Sequence, residues 1–179
     1  MTLSTAEPTA EDRLSDQEWQ ASDTTSTLPA RATLTAAIAY LRQFRFPFNG
    51  RVLVVEIFGD SPAWVEPTVQ SLGKLLQLEP GWDTYGGLPI DPKCVVAALN
   101  LVFDILPDDI PAPSVVPTSR GGVQIEWHIR SIDLEVEFIS ETRLSGLFED
   151  ANTNESWEKD LSSDLHPLVD AISTLCRRH

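Results

Sequence analysis

The sequence is poor in the residues on which several protein classes depend. Its two cysteines, Cys94 and Cys176, lack the spacing of a metal site and are too few for a disulfide framework. Lysine and arginine together number 13, against 27 aspartates and glutamates. Because phosphate contacts need clustered basic side chains, this scattered minority argues against nucleic-acid binding. The formal net charge of -14 favours either a basic partner or solubility alone.

Signals for secretion or membrane insertion are also missing. The first residues, MTLSTAEPTAEDRL, contain neither the basic region nor the apolar region of a signal peptide. Apolar runs such as Val52 to Phe58 are far too short to span a bilayer. We therefore expect a soluble cytoplasmic protein that does not associate with membranes.

The motifs of the common enzyme classes are absent as well. The chain has no P-loop, GxGxxG, GxSxG or HExxH pattern and no cysteine and histidine spacing typical of a metal centre. Its lysines, Lys74, Lys93 and Lys159, all lie away from the D-x-E pattern beside which a metal-dependent nuclease would place one. The sequence therefore predicts no cofactor and no catalytic residue.

What the chain does contain is a strong β-hairpin pattern from Val123 to Phe138. Two strict alternations of apolar and polar residues flank Arg130-Ser131, as in two strands with one buried face. If Ile129 pairs with Ile132, the buried pairs are Trp127 with Leu134, Ile125 with Val136 and Val123 with Phe138. The same register pairs His128 with Asp133, Glu126 with Glu135 and Gln124 with Glu137 on the opposite face. Since like charges opposite each other are unfavourable, that face is either well solvated or suited to a cation.

The rest of the pattern predicts an α+β protein. Residues 1–29 have the composition of a disordered acidic N-terminal arm, and a single domain is expected over residues 30–179. The first predicted helix lies between a possible cap at Thr33 and Pro47, and the second spans Val65 to Leu78. A third begins at Pro92 with Asp91 as its N-cap, and a fourth follows a cap at Ser162 or Ser163. Strands are predicted at Arg51 to Phe58, Ser114 to Thr118 and Thr142 to Phe148, with a polar loop from Glu149 to Asp160. This order indicates an antiparallel β-meander with helices packed on one face.

A second notable segment is the loop GWDTYGG at residues 81–87. The Asp83 carboxylate could be held by nearby backbone N–H groups, either to cap a turn or to contact a ligand. Trp82 and Tyr85 can pin the loop onto the core, while the paired glycines allow positive φ. The structural role is favoured, and the three residues are kept as candidates for binding.

The blocks GWDTYGGLPI, PSVVPTSRGGVQIEWH and DLEVEF follow one another between Leu75 and Phe138. In this region the chain resembles an uncharacterised group of small bacterial proteins with the pattern GWDGYGA-PI, P-VVPT-GGVQ-EWH and D-LEIEI. Thr84 stands where the pattern usually has Gly, and Gly87 where it often has Ala. The resemblance implies a prokaryotic, cytosolic protein and no particular activity. Its recurrent positions are Trp82, Asp83, Tyr85, Gly122, Gln124, Glu126, Trp127, His128 and Glu135.

Two functions are open for the polar face of the hairpin. A histidine among carboxylates could hold a divalent metal for an enzyme, with the candidate ligands Glu126, His128, Asp133 and Glu135. Alternatively, the acidic face and the acidic arm could neutralise a partner protein with a basic surface, as antitoxins and immunity proteins do. The lack of a nucleophile or metal signature favours binding. The expected binding residues are Trp82, Asp83, Tyr85, Gln124, Glu126, His128, Glu135 and Glu137.

Overall fold

The computed structural model describes residues 2–6 and 41–178 of the chain. This part contains eight β-strands and three α-helices. The strands are β1 (Thr2–Ala6), β2 (Leu41–Phe48), β3 (Arg51–Phe58), β4 (Ser114–Pro117), β5 (Val123–Ile129), β6 (Ile132–Phe138), β7 (Leu144–Asp150) and β8 (Glu155–Asp160). The helices are α1 (Val65–Leu75), α2 (Pro92–Ile105) and α3 (His166–Arg178).

Strands β4 to β8 form a five-stranded antiparallel meander in sequence order. The predicted hairpin register is confirmed, with Trp127 opposite Leu134 and Glu126 opposite Glu135. The turn residues Arg130 and Ser131 take φ values of 49° and 65°, the left-handed conformation that matches a two-residue turn to the twist of its strands. The predicted α+β class with an antiparallel sheet is therefore confirmed.

The inner face of this sheet is apolar and is covered by α2 and α3. Trp127 is only 3% exposed, and its indole N–H donates to the Pro111 carbonyl at 2.9 Å. Val102 of α2 and Ile172 of α3 meet the Trp127 side of the sheet around the same small void. Both helices thus pack on one face, as predicted, and no described helix covers the other face.

Helix α2 begins where the sequence predicts and is apolar on opposite sides. The Asp91 carboxylate accepts a hydrogen bond from the Lys93 N–H at 2.9 Å, and Pro92 occupies the first turn. One side of α2 packs against the five-stranded sheet. The other side meets strand β3, where Val96 lines a cleft together with Leu53. A helix between two sheets buries most of its circumference, which explains its nearly continuous apolar sequence.

The second sheet is antiparallel and has the order β1-β3-β2. The prediction of a helix that ends before Pro47 is wrong from Leu41 onward, because Leu41–Phe48 forms strand β2 and pairs along its length with β3. Phe46 explains the difference, since it packs on Gly73 of α1 where a β-carbon would collide with its ring. Tertiary contact with a helix thus selects the strand. The residues of that predicted helix before Leu41 lie outside the described part of the chain.

The prediction of a polar loop from Glu149 to Asp160 is also wrong. Strand β7 continues to Asp150, and Glu155–Asp160 forms the edge strand β8. Trp157 turns inward from β8 and stacks on Phe148 of β7 with ring centroids 5.7 Å apart. One inward aromatic residue and a hydrogen-bonded register with β7 are enough to order an otherwise charged segment.

Helix α3 begins later than the sequence predicts. Its first residue is His166, whose N–H donates to the Asp164 carboxylate at 2.9 Å, so neither Ser162 nor Ser163 supplies this contact. The Ser162 hydroxyl instead accepts from the Leu144 N–H at 3.0 Å, next to the end of β8. The side chain that contacts the first turn of α3 is therefore Asp164, one or two residues after the predicted cap.

A buried ion pair fixes the end of α3 against the sheet. Asp150, on the inner face at the end of β7, is 2% exposed and accepts hydrogen bonds from both terminal nitrogens of Arg178 at 2.6 Å. Asn152 and Thr153 donate to the same carboxylate. The guanidinium holds the pKa of Asp150 far below its usual range. This carboxylate is therefore fully matched within the chain.

The structure describes only part of the predicted N-terminal arm. Thr2–Ala6 forms β1 and pairs with β3, whereas the sequence places these residues in a disordered arm. The rest of the predicted arm lies outside the described residues, and a single domain over residues 30–179 stays a prediction. None of the described helices combines the length and apolarity that crossing a bilayer requires.

Candidate functional site

The outer face of the five-stranded sheet is the candidate site. Because side chains alternate across each strand, the register fixes which of them share this face. Carboxylates dominate it, at Glu126, Asp133, Glu135, Glu137, Glu149, Glu158 and Asp160. We call this set, together with Gln124 and His128, the acidic face. No lysine or arginine occupies an outward position on β4 to β8, so the charge of this face is balanced within the sheet by His128 alone.

Gln124 relieves the repulsion at the centre of the acidic face. Its amide nitrogen donates to Glu126 Oε1 at 2.9 Å and to Glu135 Oε2 at 2.8 Å. Glu126 and Glu135 lie directly opposite each other, a pairing that is unfavourable for two like charges. A single neutral amide therefore bridges the two carboxylates. The side chain of Glu126 is only 17% exposed, so this hydrogen bond replaces water that its burial removes.

His128 lies between two carboxylates at the hairpin end of the face. Its Nδ1 is 2.6 Å from Asp133 Oδ1, and its Nε2 is 3.2 Å from Glu126 Oε2. A neutral imidazole carries one N–H, so only the protonated ring can donate to both carboxylates. These contacts raise the pKa of His128, chiefly through Asp133 and then through Glu126. The protonated form is thus the counter-charge that the sheet itself provides.

The structure also brings together part of the predicted metal set. Glu126, His128 and Glu135 place one ligand atom each within 4.8 Å of one another. Asp133 is not in this group, because it holds the Nδ1 side of His128 instead. A carboxylate that orients a histidine in this way is common next to metal ligands. The oxygens of Glu126 and Glu135, however, already accept from Gln124, so an ion would have to displace that amide.

Several residues of the acidic face are not predicted from the sequence. Glu149 lies opposite Asp133, and Asp160 and Glu158 extend the face along β8. The signal was present in the alternation of Ser156, Glu158 and Asp160 with Trp157 and Lys159, which has period two. It was hidden because strand patterns are usually recognised by apolar residues, and only one residue of ESWEKD is apolar.

The GWDTYGG loop uses its polar groups to hold its own shape. Asp83 Oδ1 accepts hydrogen bonds from the N–H groups of Tyr85 at 2.9 Å and Gly87 at 2.7 Å. These bonds lower the pKa of Asp83, with Gly87 contributing most. The Trp82 indole donates to the Leu88 carbonyl at 3.1 Å. Trp82 and Asp83 thus have the structural role that the sequence favours.

Tyr85 behaves differently from the expectation that it pins the loop. It is 95% exposed and does not pack on the core. The loop is held from its other side, where the Leu88 N–H donates to the Ser119 carbonyl and the Asp91 N–H donates to the Gly121 carbonyl. Two of the three sequence blocks therefore meet through backbone hydrogen bonds. None of the contacts of Trp82, Asp83 or Tyr85 joins them to Gln124, Glu126 or His128 within the described residues.

Comparison with protein-family models, with curated proteins and with solved structures finds no match to this chain. The resemblance to the bacterial group with the GWDGYGA-PI pattern therefore stays a prediction. Function has to be argued from the geometry of the acidic face.

Proposed function

We propose that this protein acts by binding a partner protein with a basic surface, and that the acidic face is its contact surface. The observation that carries the proposal is a sheet face of carboxylates that no described helix covers, with His128 as the one cation on its described strands and Arg143 acting on Asp160 at its edge. Electrostatic complementarity of this kind accelerates association and selects partners by charge. In mode of action such a protein would resemble an antitoxin or immunity protein of a prokaryotic cytoplasm.

The contrast with the Asp150 site supports binding. The buried Asp150 carboxylate accepts hydrogen bonds from Arg178 and from additional donors such as Thr153. At the centre of the acidic face, the carboxylates of Glu126, Asp133 and Glu135 have only the Gln124 amide and His128 as side-chain partners, and Asp160 at its edge accepts from the Ser162 N–H at 2.8 Å. Net charge of one sign destabilises a compact state through self-repulsion. Carboxylates without an internal cation therefore contribute little to the stability of the fold and are better placed to bind an external cation.

A titration with a lysine decapeptide tests where cations bind. The double variant E126Q/E135Q removes two charges from the acidic face, and E79Q/D104N removes two charges from exposed positions elsewhere. We expect the face variant to weaken binding several-fold more than the control variant, and the difference to shrink as salt screens it. Equal loss in both variants would show that the peptide responds to net charge alone, and would contradict the proposal.

The physiological partner is then sought with the same pair of variants. Affinity capture from the native host should retain a basic protein on the wild type and on E79Q/D104N but not on E126Q/E135Q. The captured protein, once purified, should bind with a steep dependence on ionic strength. Retention by the face variant would place the contact elsewhere.

A metal-dependent enzyme is the second candidate, because Glu126, His128 and Glu135 lie within ion-binding reach of one another. In that case these three would be ligands and Asp133 would orient the histidine. Calorimetry with Mg²⁺, Mn²⁺ and Zn²⁺ separates the two functions. We expect no tight site, since an ion must displace the Gln124 amide. Micromolar binding that E126Q/E135Q abolishes would make the enzyme the better proposal.

A further inference from the structure

The second sheet has an outer face that is turned away from α1 and α2. In its central strand β3, the buried side chains of Leu53, Val55 and Ile57 point inward, so the residues that alternate with them point outward. These outward residues are Val52, Val54, Glu56 and Phe58. Phe58 is 61% exposed, and Glu56 already accepts a hydrogen bond from Gln43 at 2.8 Å. A strand that is apolar on both faces is typical of a sheet that is covered on both sides.

The strand directions require a long connection across this sheet. Strands β1 and β2 lie on opposite sides of β3 and both run antiparallel to it, so they are parallel to each other. β1 ends with Ala6 beside Val52, and β2 begins with Leu41 beside Phe58. The chain between them, residues 7–40, therefore has to run along β3 for about 20 Å and pass from one edge of the sheet to the other. Connections between parallel strands cross one face of a sheet and usually contain a helix.

The hairpin of β2 and β3 determines how the sheet is oriented. Its two-residue turn, Asn49-Gly50, has φ values of 45° and 72°, so the flanking residues Phe48 and Arg51 exchange backbone hydrogen bonds. Phe48 points inward, where it lines a cleft with Val96 of α2. An L-residue that points toward the viewer in an upward strand directs its N–H and C=O groups to the right. Seen from the inner side with β2 running upward, β3 therefore lies to the right of β2, and β1 lies to the right of β3.

The handedness of crossovers then selects the outer face. In this view the connection moves from β1 on the right to β2 on the left, so it is right-handed only if it passes behind the sheet. Crossovers between parallel strands are right-handed with very few exceptions. The inner side is also occupied, because Phe46 packs on Gly73 of α1 and Val55 is completely buried. Handedness and packing thus indicate the same face.

The last part of the connection has the sequence pattern of a helix with one apolar side. Ala37 and Ile38 follow Leu34 by three and four residues, after the possible cap at Thr33. As a helix, residues 33–40 would extend about 12 Å, which is more than half of the distance that the connection has to cover. The pattern that predicts this helix therefore also supplies the apolar side chains that could cover β3.

We propose that residues 33–40 dock on the outer face of the second sheet. Leu34 and Ile38 contact the outward side chains of β3, with Leu34 over Val54 and Ile38 nearest to Phe58. The occupant of this face is a segment of the same chain, so the face is an internal surface and not a second contact surface for a partner. This contact does not depend on the function proposed for the acidic face.

Methyl NMR of the full chain tests the contact directly. With leucine, isoleucine and valine methyl groups and phenylalanine rings labelled, we expect nuclear Overhauser effects from Ile38 to Phe58 and from Leu34 to Val54. Effects from Ile38 to inward residues such as Leu72, or none from Ile38 to any strand, would overturn the proposal. A mixture of labelled and unlabelled chains shows whether the contact forms within one chain. Intermolecular effects would mean that a second copy covers the face, and would overturn the proposal as well.

A pair of matched substitutions tests the same contact by stability. Ile38→Asp places a carboxylate in the proposed contact, and Leu14→Asp places one in the acidic part of the same segment. We expect Ile38→Asp to lower the denaturation midpoint and to shift the methyl signals of Val54, and Leu14→Asp to change neither. Phe58→Ser should also lower the midpoint, because removal of a solvated surface side chain would have little effect. Equal midpoints for Ile38→Asp and Leu14→Asp would contradict the proposal.

Discussion

The two faces of the five-stranded sheet are built by alternate residues of the same strands, yet their polar groups differ in how they are paired. On the inner face, the Trp127 indole and the Asp150 carboxylate each have an internal partner. On the outer face, the carboxylates of Glu126 and Glu135 share one amide. Burial explains the difference, since an unpaired polar group is costly only where water cannot reach it. The inner face therefore carries the buried contacts, and the outer face carries the carboxylates on which the proposed binding depends.

The largest effect is expected from the inner face. Trp127→Ala should lower the free energy of unfolding by about 3–5 kcal/mol, because it removes a buried aromatic side chain and leaves a cavity. Chemical denaturation followed by fluorescence of the remaining tryptophans measures this loss. Glu126→Gln, one residue away on the other face, is the matched control and should change stability little. A Trp127→Ala protein with an unchanged midpoint would show that this side chain does not stabilise the core.

The buried ion pair should give the next largest effect. Arg178→Met leaves Asp150 buried without its main partner, so the variant should melt well below the wild type. The pairing lowers the pKa of Asp150 in the folded state. Its stabilisation is therefore complete above the pKa of an unfolded aspartate, about 3.9, and is lost as the pH falls through the lower folded value.

Melting curves measured from pH 7 down to pH 2 distinguish this ion pair from general acid sensitivity. The difference between wild type and Arg178→Met should be greatest at neutral pH and should narrow in acid. A constant difference across this range would mean that the arginine acts through packing and not through its charge.

On the outer face, Gln124 offers an isosteric test. Gln124→Glu replaces the bridging amide by a third carboxylate, which should destabilise the protein by about 1 kcal/mol at pH 7 through repulsion from Glu126 and Glu135. Gln124→Leu is the companion variant, since it removes the hydrogen bonds without adding charge. Equal stability of the Glu variant and the wild type at pH 7 would contradict the bridging role.

The smallest effect concerns His128. Because its pKa is raised in the folded state, its stabilisation is complete below the pKa of a free histidine, about 6.5, and is lost as the pH rises through the folded value. The histidine is half exposed, so the change in stability should be slight. NMR titration measures it directly. Asp133→Asn should lower the pKa of His128 more than Glu126→Gln does, and the reverse order would contradict the assignment of Asp133 as the main cause.

Local patterns predicted some elements of this fold and missed others. The hairpin register followed from two alternations and a two-residue turn, because a shift by one residue would bury every charge. Helix α2 followed from Asp91, Pro92 and a long apolar run. Strand β2 did not, since Pro47 interrupts the alternation of Phe44, Phe46 and Phe48, and the residue on which Phe46 packs, Gly73, is distant in sequence.

For the site, the sequence alone determined that Gln124, Glu126, His128, Glu135 and Glu137 share one face, because alternation and register are local properties of a hairpin. Tertiary contacts extend this face over β7 and β8 and place Asp133 and Glu126 on the two sides of His128, and no described helix covers the face. The tertiary structure also decided that Asp83 is satisfied within its own loop while Asp150 is matched by Arg178. These outcomes depend on contacts between residues far apart in the chain, whose geometry no local pattern contains.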